Sequence, residues 1–224
     1  MSAEVFDTSH PESLRKGLRA ARVAIAKKQL VVIPTDTHYA VAIDAFSPVA
    51  HEHLAQFKHW DTPPLPQVIL PTRAALGALA DTIHPGVDVL TTAFWPGPLT
   101  VVVPASQTLR WNVGDEVSQV ALRLVDHVVV EELLAETGPL AVSAAHPVGH
   151  PPDSIEQMID QAGDQIAVVL TDPQCLWGFD HAGSTLVDAS DMGDAAQFTV
   201  VREGVISREQ LEAATGGDVH WSGP

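Results

Sequence analysis

The sequence predicts an α/β fold, a twisted mixed open sheet with helices on its faces, and three observations carry that prediction. Apolar runs such as Leu30-Val31-Val32-Ile33 and Leu140-Ala141-Val142 have the length and composition of buried strands. They alternate with stretches of helical periodicity, as in Leu14, Leu18, Ala21 and Ile25. Several extended segments also follow one another without an intervening helix, which breaks strict βαβ order and points to a mixed sheet.

In order, a short polar, acidic lead precedes a helix that starts at Pro11-Glu12-Ser13 and runs through Lys28. The strand Leu30 to Ile33 stops at Pro34, which has no N–H to give to a ladder. Thr35-Asp36-Thr37 then turns the chain into an extended segment, Tyr39 to Ile43. Ser47 caps the next helix, Pro48 takes its first position, and Leu54 and Phe57 point inward before the helix ends near Lys58-His59-Trp60. The prolines at 63, 64 and 66 make Asp61 to Pro66 irregular, and this loop feeds a strand from Gln67 to Leu70. Helices over Arg73 to Ala80 and Pro85 to Phe94 lead to the turn Trp95-Pro96-Gly97-Pro98, which reads as architectural, and to a strand from Thr100 to Val103. Val117 to Leu124 is the next strand, and a helix runs from Asp126 to just before Gly138. After the strand at Leu140 come a loop from Ala144 to Pro152, a helix from Asp153 to Ala162 and a strand from Ile166 to Leu170. Gly183-Ser184-Thr185 opens the strand Leu186 to Asp188, Phe198 to Arg202 pairs near it, and a helix near Arg208 to Ala214 precedes a Gly-rich polar tail. No repeat or linker divides the chain, so residues 1–224 read as one domain.

Charge narrows the function. With 28 acidic against 12 basic residues the net charge is −16, which opposes broad nonspecific binding to nucleic acid. Cys175 stands alone, so no disulfide can form within the chain, and this suits a reducing compartment. The first residues lack a secretory leader pattern and no apolar run has the length of a membrane span, so the expected location is cytoplasmic. Histidines number eleven, but His51 and His53 would face different sides of a helix, and Pro147 breaks the spacing of His146 and His150. No metal site is expected.

Three strand ends deliver Thr35, Ser143 and Thr185, while Lys58, Arg123 and Arg202 supply cations. Together they suit a pocket for a carboxylate or phosphate. Two plainer arrangements fit the same residues: Thr35 and Thr37 capping their own turn, and each cation pairing with a surface acid.

Seven motifs in order then suggest a family: Pro34-Thr35-Asp36-Thr37-x-Tyr39, Lys58, Phe94-Trp95-Pro96-Gly97-Pro98-Leu99-Thr100, Arg123-x-x-Asp126-His127, Ser143-Ala144, Ser184-Thr185-x-Val187-Asp188 and Arg202-x-Gly204. From about Leu14 to Leu211 the chain resembles the YrdC-like threonylcarbamoyl-adenylate synthases. The resemblance implies an open twisted sheet with a concave pocket. It also implies condensation of L-threonine, bicarbonate and ATP, as a magnesium complex, into threonylcarbamoyl-adenylate and pyrophosphate for a modified adenosine of tRNA, with tRNA-modification proteins as possible partners. On that likeness Thr35, Arg123, Ser143 and Thr185 contact threonine or carbamate, and Lys58, Ser143 and Arg202 contact the nucleotide. Lys58 and Arg123 would carry the catalytic charge, with no tightly bound cofactor.

The departures cluster on the nucleotide half. Trp60 stands where the family has an arginine, the Lys58 to Leu65 loop is one residue shorter with Pro63 inside it, Ala145 replaces an asparagine and Pro151 a serine. Gln119 stands where a threonine is common. Trp60 is expected to pack as core or lid rather than stack on a base, and His59 or His146 would replace lost donors. The alternative is a diverged paralogue that binds a carboxylate or carbamate ligand without adenylating it.

Overall fold

The computed structural model describes residues 3–65, 67–107, 118–146, 152–175, 182–191, 197–217 and 219–223. The strands are β1 (Glu4–Asp7), β2 (Leu30–Ile33), β3 (Ala40–Asp44), β4 (Gln67–Ile69), β5 (Leu99–Pro104), β6 (Gln119–Arg123), β7 (Leu140–Ala144), β8 (Ile166–Thr171), β9 (Thr185–Asp188), β10 (Gln197–Arg202) and β11 (His220–Ser222). All belong to one sheet in the order β1-β8-β2-β3-β7-β4-β6-β5-β9-β10-β11. Parallel pairs (β1 with β8, β8 with β2, β4 with β6, β5 with β9, β10 with β11) are combined with antiparallel ones, so the sheet is mixed.

Helices α1 (Pro11–Ala26), α2 (Pro48–Lys58), α3 (Leu76–Leu79), α4 (Pro85–Phe94), α5 (Val128–Thr137), α6 (Ile155–Ala162) and α7 (Arg208–Thr215) divide unequally between its faces. One core joins Val32, Val41, Val68 and Val101 to Leu54, Phe57, Leu76, Leu90, Met158 and Leu211, residues of α2, α3, α4, α6 and α7. The other joins Val31, Ile33, Ala42, Ile69 and Val168 to Ala21, Ile25, Val129 and Leu133 of α1 and α5 alone. Among the described residues only these two helices pack on the second face of the eleven-stranded sheet, and they leave part of it open. Polar strand residues of this face include Gln67, Thr100 and Arg123.

The helix ends follow local chemistry. Pro11 and Pro48 sit in the first turns of α1 and α2, where the missing N–H costs nothing, and Ser47 Oγ accepts from the Ala50 N–H. Ser154 caps α6 in the same way, and Ser207 with Gln210 forms a capping box on α7.

Three expectations need correction. Residues 4–7 are not a polar lead but β1, which gains a ladder by pairing with β8 at the sheet edge. The tail contributes β11, paired with β10 through Phe198 and Trp221, whose rings meet edge to face at 5.6 Å. Residues 73–80 are not one helix: a 3-10 turn over Arg73–Ala75 precedes the four-residue α3. The expected strand start at Val117, and Pro147, His150 and Pro151, lie outside the described residues. No helix among the described residues is long and apolar enough to cross a membrane.

Candidate functional site

A cavity of about 380 Å³ occupies the bare part of the second face. Its floor is Gln67, Ile69, Arg123 and Val142; the loop Thr35 to Tyr39 forms one wall and Gly183, Ser184 and Arg202 the other. Although the chain has 28 acidic residues, none of the described carboxylates lines this cavity.

Pro34 ends β2 and the chain turns on Thr35. Its Oγ1 donates to the His38 carbonyl and accepts from the N–H groups of Thr37 (3.2 Å) and His38 (3.1 Å), so the hydroxyl is saturated by its own turn. Thr35 therefore borders the cavity as a wall. Tyr39 anchors the loop from the other end: its hydroxyl donates to the Asp172 carbonyl (2.8 Å) and accepts from the Asp172 N–H (2.9 Å).

Arg123 is 5% exposed and already has partners. Its Nη2 donates to Asp36 Oδ1 at 2.5 Å, Nη1 to Thr37 Oγ1 at 3.2 Å and Nε to the Gly97 carbonyl at 3.1 Å. Burial lowers its pKa and the Asp36 carboxylate raises it, which keeps a buried guanidinium charged. Gly97 is required here: its φ is +155°, and a Cβ would stand 2.7 Å from the Phe94 carbonyl oxygen. Arg123 thus clamps the Thr35 loop to the Pro96-Gly97-Pro98 turn and turns only part of its guanidinium to the cavity.

Arg202 is the open cation. It is exposed at the mouth and makes no ion pair among the described residues. Its Nη2 donates to the Ser184 carbonyl (2.9 Å) and to Ser184 Oγ (3.2 Å). Ser184 Oγ also accepts from Thr100 Oγ1 (3.0 Å), which accepts from Gln67 Nε2 (3.0 Å). A chain of hydrogen bonds therefore joins Gln67, Thr100, Ser184 and Arg202 along one side of the cavity.

Thr185 departs from its expected place. It is fully buried, its hydroxyl donates to the Ile206 carbonyl (2.6 Å) and accepts from the N–H groups of Gly204 (2.9 Å) and Ile206 (3.0 Å). It clasps the chain after β10 against the chain before β9, and Ser184, one residue earlier, takes the cavity position. Gly204 permits that clasp, because a Cβ would lie 2.1 Å from the Gly183 carbonyl oxygen. Gln67 lies outside the motifs, and Ser184 stands inside one of them without having been expected at the site.

Of the three residues expected at the nucleotide, Arg202 and Ser143 line the cavity and Lys58 does not. Lys58 is 4% exposed, does not line the cavity, and donates to the carbonyls of Ala144 (3.1 Å) and His146. Trp60 packs against the first core with its ring centroid 5.7 Å from Lys58 Nζ, so it lids the ammonium. Ser143 borders the cavity, but it pairs with Val41 of the first core, which puts its side chain on the Lys58 face of the sheet. His59 is exposed in a left-handed C-cap (φ 52°) and does not line the cavity. Gln119 donates to Ser190 Oγ at 2.6 Å.

Burial lowers the Lys58 pKa to about 8. Unfolded, lysine titrates near roughly 10.4, so between these values the unfolded chain holds the proton more often and stability rises with pH. Below about pH 8 both states are protonated and the burial cost is fully present. Relative to Lys58→Met, wild type should therefore gain on the order of 2–3 kcal/mol between about pH 7 and 10.5 in urea unfolding. The comparison with the variant cancels Cys175 and Tyr39, whose raised values of about 11 and 12 act in the opposite direction. A pH-independent difference would place the ammonium in water.

A second cavity of about 340 Å³ shares the Thr35 loop and is lined by Asp36, Asp126, Asp172 and His127. His127 Nε2 lies 3.3 Å from Asp172 Oδ2, burial lowers its pKa, and its Nδ1 is buried without a hydrogen-bond partner among the described residues. Among the described residues no group of three His, Cys, Asp or Glu side chains could hold a metal ion.

The fold is an open mixed α/β sheet whose second face carries a cavity lined by Arg123 and Arg202 and, among the described residues, by no carboxylate. The comparisons with known proteins name the family. The family described as telomere recombination, with Sua5, YciO and YrdC as its namesakes, matches residues 23–204, and this chain belongs to it. A Mycobacterium tuberculosis relative, provisionally named a threonylcarbamoyl-AMP synthase, is 38% identical over 216 residues, 96% of either chain. A Vibrio vulnificus relative named threonylcarbamoyl-AMP synthase is 32% identical over 151 residues, 66% of this chain and 81% of its own. Among solved structures, Pyrococcus abyssi Sua5 in complex with L-threonine superposes with a TM-score of 0.82 at 22% identity, over 99% of this chain and 63% of Sua5. Escherichia coli YciO superposes with a TM-score of 0.77 at 18% identity, over 94% of this chain and all of YciO. These structures share the mixed open-sheet fold.

Proposed function

We propose that this protein is a cytoplasmic threonylcarbamoyl-AMP synthase acting in tRNA modification. The amine of L-threonine forms a bond to the carbon of bicarbonate, and hydroxide leaves with an amine proton as water. The resulting carbamate oxygen attacks the α-phosphorus of ATP, which enters as its magnesium complex, and pyrophosphate departs. No side chain becomes covalently bound; the protein positions the reactants and neutralises charge. The observation that carries this reading is a cavity in which, among the described residues, no carboxylate appears, Arg202 has no acid partner and Ser184 stands beside it. It suits a carboxylate and a carbamate, the two anionic ends of N-carboxythreonine. The threonine complex of the Pyrococcus protein and the names of the relatives support the same substrate.

On this reading Arg202, Ser184, Arg123 and Thr35 surround threonine, and Thr185 holds Ser184 in position. Ser143 borders the cavity on the nucleotide side, and Lys58 acts indirectly, by holding the chain at Ala144 to His146. A second reading, a carbamate-binding module that does not adenylate, draws on Trp60 in place of an arginine and on the engagement of Lys58 with backbone carbonyls. Pyrophosphate release from purified protein with ATP, magnesium, bicarbonate and L-threonine decides between them. Threonine-dependent release identifies the synthase. Threonine binding without release identifies the module.

A further inference from the structure

Resting on the proposed threonine site, we propose that Gln67 contacts the substrate's amino group and accepts a hydrogen bond from it in the neutral form. The orientation of the Gln67 amide follows from the hydrogen-bond chain itself. Thr100 Oγ1 spends its single hydrogen on Ser184 Oγ, so toward Gln67 it can only accept. The amide therefore presents Nε2 to Thr100 at 3.0 Å and leaves Oε1 as an acceptor in the cavity floor. Ser184 Oγ accepts from both Thr100 and Arg202, so its own hydrogen is available to a ligand oxygen. The rail thus offers a guanidinium and a hydroxyl donor at one end and a neutral acceptor at the other. An α-amino acid presents the complement, a carboxylate and an N–H group.

Neutrality is the point of the glutamine. Among the described residues no carboxylate lines the cavity; Arg202 lines it without an acid partner and Arg123 lines it paired with Asp36 behind the wall, and a neighbouring cation disfavours an ammonium. An amide oxygen orients the amine without restoring that charge, and the nitrogen keeps the lone pair it needs. A glutamate here would hold the amine as an ammonium.

Calorimetry of L-threonine binding near neutral pH, in buffers of different ionisation enthalpy, counts the protons released. Threonine in solution is an ammonium, so wild type should release close to one proton per threonine bound. Gln67→Glu should bind threonine with release near zero, and Gln67→Leu should weaken binding about 10-fold. Thr100→Val, which breaks the rail without touching the substrate, should keep release near one, so a purely structural role for Gln67 would not reproduce the Gln67→Glu result. Melting curves confirm that each variant is folded, and an unfolded Gln67→Glu leaves the wild-type proton count as the deciding number. Wild-type binding with no proton release, or equal release by wild type and Gln67→Glu, overturns the inference while leaving the threonine site intact. Absence of threonine binding by wild type removes the site itself.

Discussion

Arg202→Ala weakens L-threonine binding by roughly 10- to 100-fold, the loss of a charge-assisted contact of about 1.5–3 kcal/mol. Its melting temperature stays within about 2 °C of wild type, because the contacts given up are to Ser184 at an exposed cavity mouth and no buried acid loses a partner. Calorimetry and a thermal melt on the same preparation read both quantities. Arg202→Lys recovers only part of the affinity, since an ammonium cannot span the Ser184 carbonyl and hydroxyl as the planar guanidinium does. Undiminished affinity in Arg202→Ala would move the ligand to another part of the face.

Arg123→Ala behaves in the opposite way. Removing the guanidinium strands the Asp36 carboxylate, 14% exposed, and frees the Thr35 loop from the Gly97 turn. The expected cost is about 3–5 kcal/mol, a fall of roughly 6–20 °C in melting temperature for a chain of this size. Asp36→Ala combined with Arg123→Ala should be less destabilised than the sum of the single variants, the signature of a coupled pair. A melting temperature unchanged in Arg123→Ala would show that the ion pair is not formed in solution.

These two arginines mark the limit of what the residues alone reveal. Both read from sequence as ligand-facing cations among strand ends, yet only Arg202 is open. The distinction depends on Asp36, 87 positions away in the chain, arriving within 2.5 Å of Arg123. Thr185 fails for a related reason: successive residues of an extended segment face opposite ways, so moving by one residue turns a cavity hydroxyl into a buried clasp. Thr35 combines both readings, because it lines the cavity and also saturates its own turn.

The central strands were legible because Val31, Val32, Val41 and Val168 are apolar on both faces and Pro34, Ser47 and Gly138 punctuate the chain. The edge strands β1 and β11 were not, since an edge needs no continuous apolar run and Glu4 and His220 are exposed. Gln67 and Thr100 carried a usable signal. Gln67 opens an apolar strand and Thr100 interrupts one, and together they mark the face that, among the described residues, α1 and α5 cover. That uneven division of helices, more than any single motif, creates the cavity.

A crystal structure with L-threonine tests the central claim most directly. The account predicts threonine on the face covered by α1 and α5, its carboxylate on Arg202 and Ser184 and its nitrogen on Gln67. Threonine bound on the Lys58 face, or in the acidic cavity beside His127, would contradict it.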